Sequence, residues 1–316
     1  MFLATSLLIA FAALLIERAI GYPTVIQRTF SHPVVWIGRL IGLVEARLNR
    51  PGRQRLKGLL ALMIVLAAVL AVSLPVTVFL RSFAWGWLIE AMIATAFLAQ
   101  ADLRRHVVAV ADGLDDGHRA GRAAVSHLVG RDPYRLDPSG VARAAIESLA
   151  ENASDGIVAP ALWLGLFGLP GMALYKAINT ADSMIGHLDA RYRHFGWAAA
   201  RLDDFVNLPA SRLTGLIIAL AGPARAAALT AMGRDAARHA SPNAGWPEAA
   251  MAGALGIRLG GPRSYQGETV DLAWMGNGRI ELGAHDIRAA LAIYGRSLSL
   301  LAVFIGLAAL AARALI

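Results

Sequence analysis

Residues 143–163 read RAAIESLAENASDGIVAPALW and join an acidic face directly to an apolar run. Glu147, Glu151 and Asp155 stand at i, i+4 and i+8. In a helix that spacing holds the three carboxylates within about 80° of one another on one face. Like charges stacked a turn apart repel and cost helix stability, so the pattern anticipates a cation. A divalent metal, or a metal carried on a phosphorylated substrate, is the candidate, and a plain solvated helix face is the alternative.

Composition fixes the class around this stretch. Of 316 residues, 57% are hydrophobic and 16% charged, and mean hydropathy is +0.53. Soluble domains carry about 25% charged residues, so this is an integral membrane protein. The absence of cysteine excludes disulfides, thiolate metal sites and cysteine nucleophiles, and the histidines form no His-Glu-x-x-His pair. The formal charge of +8 is carried by arginine, because Lys57 and Lys176 are the only lysines. Neither follows a glycine or precedes Ser or Thr, which excludes a Walker A phosphate loop. No basic stripe interleaved with aromatics is present, so nucleic acid is not an expected partner.

Apolar runs predict membrane segments near 2–16, 59–80, 83–98, 156–175, 213–232 and 291–316. The first lacks a basic start and a small-residue cleavage site and reads as an uncleaved span. The Arg-rich loop 18–57 is cytoplasmic by the positive-inside rule, leaving the N-terminus outside. Pro160 and Leu169-Pro170-Gly171 interrupt the fourth segment, and Gly222-Pro223 with Arg225 the fifth. The expectation is therefore an all-α polytopic fold, a single membrane domain over 1–316. It would have about four full spans, two broken or re-entrant segments, and polar helices and loops on the cytoplasmic side. Trp85 and Trp87 flank the third segment, and Glu90 lies inside it, where an acid is either functional or structural. Asp137-Pro138 predicts a helix start, with the carboxylate helix running to about Asp155 and ended by Gly156.

Four polar clusters carry possible chemistry. Glu147, Glu151, Asn152 and Asp155 are the first. Asn179, Asp182, Ser183, His187, Arg191 and Tyr192 are the second; Asn179 and Asp182 share a helix face and add hard oxygens of the kind Mg²⁺ prefers. Arg201, Asp203, Asp204, Asn207 and Arg212 are the third. Adjacent aspartates point to different sides, so at most one is a direct ligand while the other pairs with Arg201 or Arg212. Those two arginines could instead clamp a phosphate. The fourth, 241–278, holds Ser241-Pro242-Asn243-Ala244-Gly245 and Gly260-Gly261-Pro262, and its Gly/Pro density predicts irregular backbone, a loop or a phosphate cradle. His32 sits in the basic N-terminal loop.

Four phrases together resemble the adenosylcobinamide-phosphate synthases, the CobD/CbiB cobalamin-biosynthesis membrane proteins. They are ESLAENASDG (147–156), NTADSMIG (179–186), RLDDFVNLPA (201–210) and SPNAG (241–245). The likeness extends to Gly21, Pro23, His32-Pro33, Gly38, Arg131-Asp132 and the Leu-Gly-Gly-Pro stretch with Tyr265 and Gly267, covering nearly the whole chain. Glu17 and Tyr22 stand where that family often has aspartates. The resemblance implies a cell (inner) membrane protein that joins a propionate carboxylate of the corrinoid cobyric acid to (R)-1-amino-2-propanol or its O-phosphate, with ATP as substrate and Mg²⁺ as cofactor, on the cytoplasmic face. On that reading Glu147, Glu151, Asp155 and Asp182 hold Mg²⁺-nucleotide. Asp203 or Asp204 could take the amine proton. Asn152, Asn179, Asn207 and Asn243 would recognise amide or phosphate groups, with Ser183, Tyr265 and His32 also at the substrate, and Arg131, Arg191 and Arg212 would neutralise phosphate. The lipid bilayer and other cobalamin-assembly enzymes are the further partners. Rival readings are a transporter coupled through intramembrane acids, which the edge position of most acids disfavours, and a non-catalytic scaffold of an assembly complex.

Overall fold

The computed structural model describes residues 1–21, 32–128, 135–265, 268–270 and 272–315, with the backbone alone for 263–265 and 268–270. The expectations for Arg131 and for the side chain of Tyr265 fall outside what is described. In hydrocarbon every backbone N–H and C=O needs an internal partner, and a helix supplies it. Among the described residues, six helical stretches are long and apolar enough to cross a membrane: Phe2–Ile20, Gln54–Leu80, Gly86–Asp116, Pro138–Ile185, Trp197–Ala221 and Ala284–Ala314. The chain is an all-α polytopic membrane protein.

In order, the helices are α1 (Phe2–Ile20), α2 (Pro33–Leu48), α3 (Gln54–Leu80), α4 (Gly86–Thr95), α5 (Gln100–Asp116), α6 (His118–Val125), α7 (Pro138–Ala153), α8 (Ala159–Ile185), α9 (Trp197–Ala221), α10 (Arg225–Asp235), α11 (Gly245–Leu255) and α12 (Ala284–Ala314). Three local expectations change. Gly156 does not end the carboxylate helix: α7 passes through a π-helical turn, Ser154–Val158, straight into α8. The fifth candidate span is 197–221 rather than 213–232, because Gly222-Pro223 falls at the end of α9 and α10 is a separate helix. The turn-rich region 241–278 contains α11, followed by two short antiparallel pairs: β1 (Leu259–Gly260) with β4 (Trp274–Met275), and β2 (Arg263–Tyr265) with β3 (Glu268–Val270). Asp137 does cap α7, accepting the Gly140 N–H at 2.7 Å ahead of Pro138.

Two compact units make up the chain. One is Met1–Ala99, Ala159–Asn207 and Ala302–Ile316; the other is Gln100–Val158 and Leu208–Leu301. In the first, α8 packs against α1, α2 and α3. Gly168 interrupts α8 with φ 69° and ψ −166°, which frees the Leu169 N–H from the helix ladder. Glu90, fully buried on α4, accepts that N–H through Oε1 at 3.3 Å. Its carboxylate is gripped by Arg81 from Nε at 2.8 Å and Nη2 at 2.9 Å, and Arg81 also donates to Ser6 Oγ at 3.0 Å. A Cβ at residue 168 would stand 2.9 Å from Arg81 Nη2, so glycine serves both the left-handed backbone and the space. Of the two roles open to Glu90, the geometry is the structural one. In the second unit, α11 packs on α7 and α10, and β1 lies against α7.

Candidate functional site

In the first unit the second and third clusters meet. Asn179 and Asp182 follow Tyr175 on α8 at helical spacing, and Asp203 and Asn207 stand one turn apart on α9. Asp203 is buried, and both of its oxygens are held: Asn179 Nδ2 donates to Oδ1 at 3.3 Å and Asn207 Nδ2 to Oδ2 at 3.0 Å. Asn207 Nδ2 also reaches the Asp203 carbonyl at 3.2 Å, and Tyr175 donates its hydroxyl to Asn207 Oδ1 at 2.8 Å. Asp182, half-buried, lies within electrostatic reach of Asp203 and Asp204, so three carboxylates crowd one region. Asp204 has Arg201 at 3.6 Å, as adjacent aspartates pointing to different sides require. Gly186 makes room for this arrangement: a Cβ there would lie 1.9 Å from Asp182 Oδ1.

Other residues of these clusters are turned to local tasks. The Ser183 hydroxyl donates to the Asn179 carbonyl at 2.9 Å. Arg191 donates to Glu45 Oε1 from Nη2 at 3.0 Å, and Asn49 donates to the same oxygen at 2.9 Å. His32 caps α2, its Nδ1 accepting the Val34 N–H at 3.3 Å.

The first and fourth clusters belong to the second unit. Glu147 is 5% exposed and accepts the Gly260 N–H through Oε1 at 2.6 Å, whereas Glu151 is exposed. The two differ in burial because β1 covers the first turn of their shared face. Gly260 and Gly261 have φ 73° and 79°, and a Cβ on Gly261 would strike the Trp274 indole at 2.5 Å. Asn152 donates to the Ser148 carbonyl at 2.9 Å and to its hydroxyl at 3.1 Å, while Asp155 sits in the π turn. Extra residues in such a turn shift the angular register, so the simple i, i+8 stack does not carry through to Asp155. Asn243 is buried; its Oδ1 accepts from Ser211 Oγ at 3.1 Å and from Arg212 Nη1 at 3.5 Å. The Arg212 guanidinium lies over the Trp246 ring, 4.7 Å from its centroid.

Among the described residues no group of three or more His, Asp or Glu side chains is arranged to ligate a metal by itself. A cavity of about 580 Å³ in the first unit, lined by side chains such as Trp36, Val72, Met92 and Phe97, holds none of the candidate residues. Sequence reasoning missed Tyr175 and Asp235. Tyr175 looked like part of an apolar run, and its signal was the i, i+4 spacing to Asn179. Asp235 is 1% exposed and bound by Arg234 Nε at 2.7 Å and by the Gly276 N–H at 2.8 Å.

Burial works to raise the Asp235 pKa, but the Arg234 guanidinium and the Gly276 N–H outweigh it and hold the carboxyl below the usual aspartate range. A group depressed on folding stabilises the fold fully above its unfolded pKa, about 3.9, and the contribution fades as pH falls through the lower folded value. The stability of the detergent-solubilised protein, followed by circular dichroism at a series of pH values, is expected to fall less steeply below about pH 4 in Asp235→Asn than in wild type. Identical acid limbs in the two proteins would contradict this.

The chain matches the family model described as CobD/Cbib protein over residues 10–294. It is 50% identical over 296 residues to "Cobalamin biosynthesis protein CobD" of Rhodobacter capsulatus, covering 93% of this chain and 94% of the relative. Proteins of the same name from Sinorhizobium fredii and Rhizobium meliloti are 49% identical over 310 residues and 46% over 323, covering 93% and 97% of this chain and 94% and 98% of the relatives. No solved structure matches the chain.

Proposed function

The chain belongs to the CobD/CbiB protein family and takes part in cobalamin biosynthesis, and from that premise we propose that it is an ATP-dependent amide ligase. Its substrates would be a corrinoid propionate carboxylate and the amine of (R)-1-amino-2-propanol or its O-phosphate. The observation that carries the reading is the meeting of NTADSMIG and RLDDFVN, which sets Asp182 beside Asp203 and Asp204 and fixes Asp203 with two asparagine amides.

A carboxylate does not condense with an amine unless an oxygen is first made a leaving group. In this reaction a propionate oxygen attacks the γ-phosphorus of ATP and ADP departs. The amine nitrogen then attacks the acyl carbon, phosphate leaves, and the nitrogen gives up a proton. Asp203 suits the last role better than Asp204, which faces Arg201. Arg212 and Asn243, joined through Ser211 and Trp246, offer a cation and an amide for a phosphate or amide group.

Mg²⁺ on a nucleotide takes only one or two protein carboxylates, the rest of its shell being water and phosphate oxygen. Asp182, half-buried and repelled by its carboxylate neighbours, fits that donor chemistry. When bound, the ion neutralises charge developing on the phosphates. Glu147 has Oε1 committed to Gly260, so its part is to hold β1 against α7. The work is done at the cytoplasmic face of the cell membrane, where nucleotide is available, next to the enzymes that supply and consume corrinoids.

The deciding experiment incubates the full-length protein in nanodiscs with ATP, Mg²⁺, a cobyrate and aminopropanol or its phosphate. The expected result is cobinamide or its phosphate together with stoichiometric ADP. ADP-free, product-free incubations with both amines and with adenosylated and non-adenosylated corrin would overturn the ligase reading in favour of a scaffold.

A further inference from the structure

We propose that Tyr175 is a positioning residue for this reaction, acting through Asn207 to hold the Asp203 carboxylate in its working orientation; the inference rests on the ligase reading above. Tyr175 is 2% exposed and lies in the second half of α8 among apolar neighbours. A phenol buried there has no water to satisfy its hydroxyl, and phenylalanine would fill nearly the same volume without that cost. The hydroxyl therefore needs a partner, and it donates to Asn207 Oδ1 at 2.8 Å.

That bond fixes the end of the Asn207 amide that faces away from the aspartate. An amide can be turned over with little change of shape, exchanging its carbonyl oxygen for its NH₂. The Asp203 carboxylate, which only accepts, turns the NH₂ towards itself, and the Tyr175 O–H takes the oxygen on the other side, so the amide is held at both ends. Asn207 Nδ2 accordingly reaches Asp203 Oδ2 at 3.0 Å and the Asp203 carbonyl at 3.2 Å. Without the phenol donor, the amide keeps its NH₂ towards Asp203 but loses the hold on its oxygen, so the side chain can swing and the contact to Oδ2 loosens. Asn179, at 3.3 Å from Oδ1, is then the firmer of the two holds, and the carboxylate gains freedom to rotate about it. The consequence falls on Asp203, which already stands near Asp182 and, among the described residues, faces no arginine like the one at Asp204.

The test is a double-mutant cycle in the full-length protein in nanodiscs, with kcat and the corrinoid KM measured for wild type, Tyr175→Phe, Asn207→Ala and the double variant. Tyr175→Phe is expected to lower kcat roughly 10–100-fold, the usual range for groups that orient a working side chain, with KM unchanged because the phenol does not touch substrate. In the Asn207→Ala background the same substitution is expected to change kcat by less than about twofold, the mark of a residue acting only through its partner. Near-wild-type kcat in Tyr175→Phe, or the same loss with and without Asn207, overturns the proposal. Should Tyr175→Phe not fold, 3-fluorotyrosine at 175, which keeps the donor, is expected to retain turnover, and its loss overturns the proposal too. The outcomes separate the two levels of argument. Full activity in Asn207→Ala and Asp203→Asn would remove the site itself, whereas an inactive Asn207→Ala beside an active Tyr175→Phe removes only the role of the phenol.

Discussion

Glu90→Ala is expected to cost about 3–5 kcal/mol of stability, the range found when one partner of a buried ion pair is deleted. The Glu90 carboxylate is fully buried, the Arg81 guanidinium only 17% exposed, and the two are joined by contacts of 2.8 and 2.9 Å. Removing the carboxylate strands the guanidinium between Ser6 and the Phe2 ring, 4.6 Å away. It also strips the Leu169 N–H of its acceptor at the break in α8. Glu90→Gln keeps an oxygen for Leu169 and one polar contact for Arg81, so its cost is expected to be smaller. Unfolding of the purified protein in mixed micelles, followed by tryptophan fluorescence, measures both. Loss of less than about 1 kcal/mol in Glu90→Ala would show that the pair is replaceable. The same geometry weakens the transporter reading. An acid that couples to a moving cation has to exchange its partner, and this one is tied to an arginine and a backbone amide at once.

Asp182→Asn is expected to reduce amide formation roughly 10²–10³-fold, the loss typical of removing one well-placed electrostatic contact from an active site, while leaving the fold intact. The two effects separate because of where the charge sits. Asp182 is half-buried and near Asp203 and Asp204, so neutralising it relieves repulsion in the resting protein. Thermal unfolding is therefore expected at or above the wild-type temperature, the usual trade when a strained working residue is lost. Substrate turnover under saturating Mg²⁺ and ATP, measured beside the melting curve, tests this. Turnover within a few-fold of wild type would exclude Asp182 from the site. A melting temperature that falls with activity would instead mark it as a packing residue.

The apolar runs made the membrane class and most span positions legible, since a stretch of that length and hydropathy has few other destinations. Asp137-Pro138 and the divergence of Asp203 from Asp204 were readable for local reasons: a cap needs only its own turn, and neighbours on a helix diverge by geometry. What escaped depended on distant partners. Gly156 looked like a stop because glycine is a poor helix former, yet the penalty of about 1 kcal/mol is easily outweighed by packing, and the chain passes through a π turn. Glu147 and Glu151 share a face but not a burial, because β1, more than a hundred residues later in the chain, covers only one of them. The coming together of Asn179 and Asp203 needed the folding of α8 against α9. The motifs named these residues without saying which touched which.

The break at Gly168 also constrains the order in which the protein can be built. The carboxylate that accepts the Leu169 N–H lies 79 residues upstream, so the ribosome delivers the acceptor well before the donor. Until α8 arrives, Arg81 and Glu90 can already neutralise one another between α3 and α4, which lets an otherwise costly pair of charges enter the bilayer as one neutral hairpin. Once α8 is inserted, the amide freed from its helix ladder meets the Glu90 carboxylate. The break in α8 thus ties the register of a later helix on the earlier ones to one bond, from Leu169 N–H to Glu90.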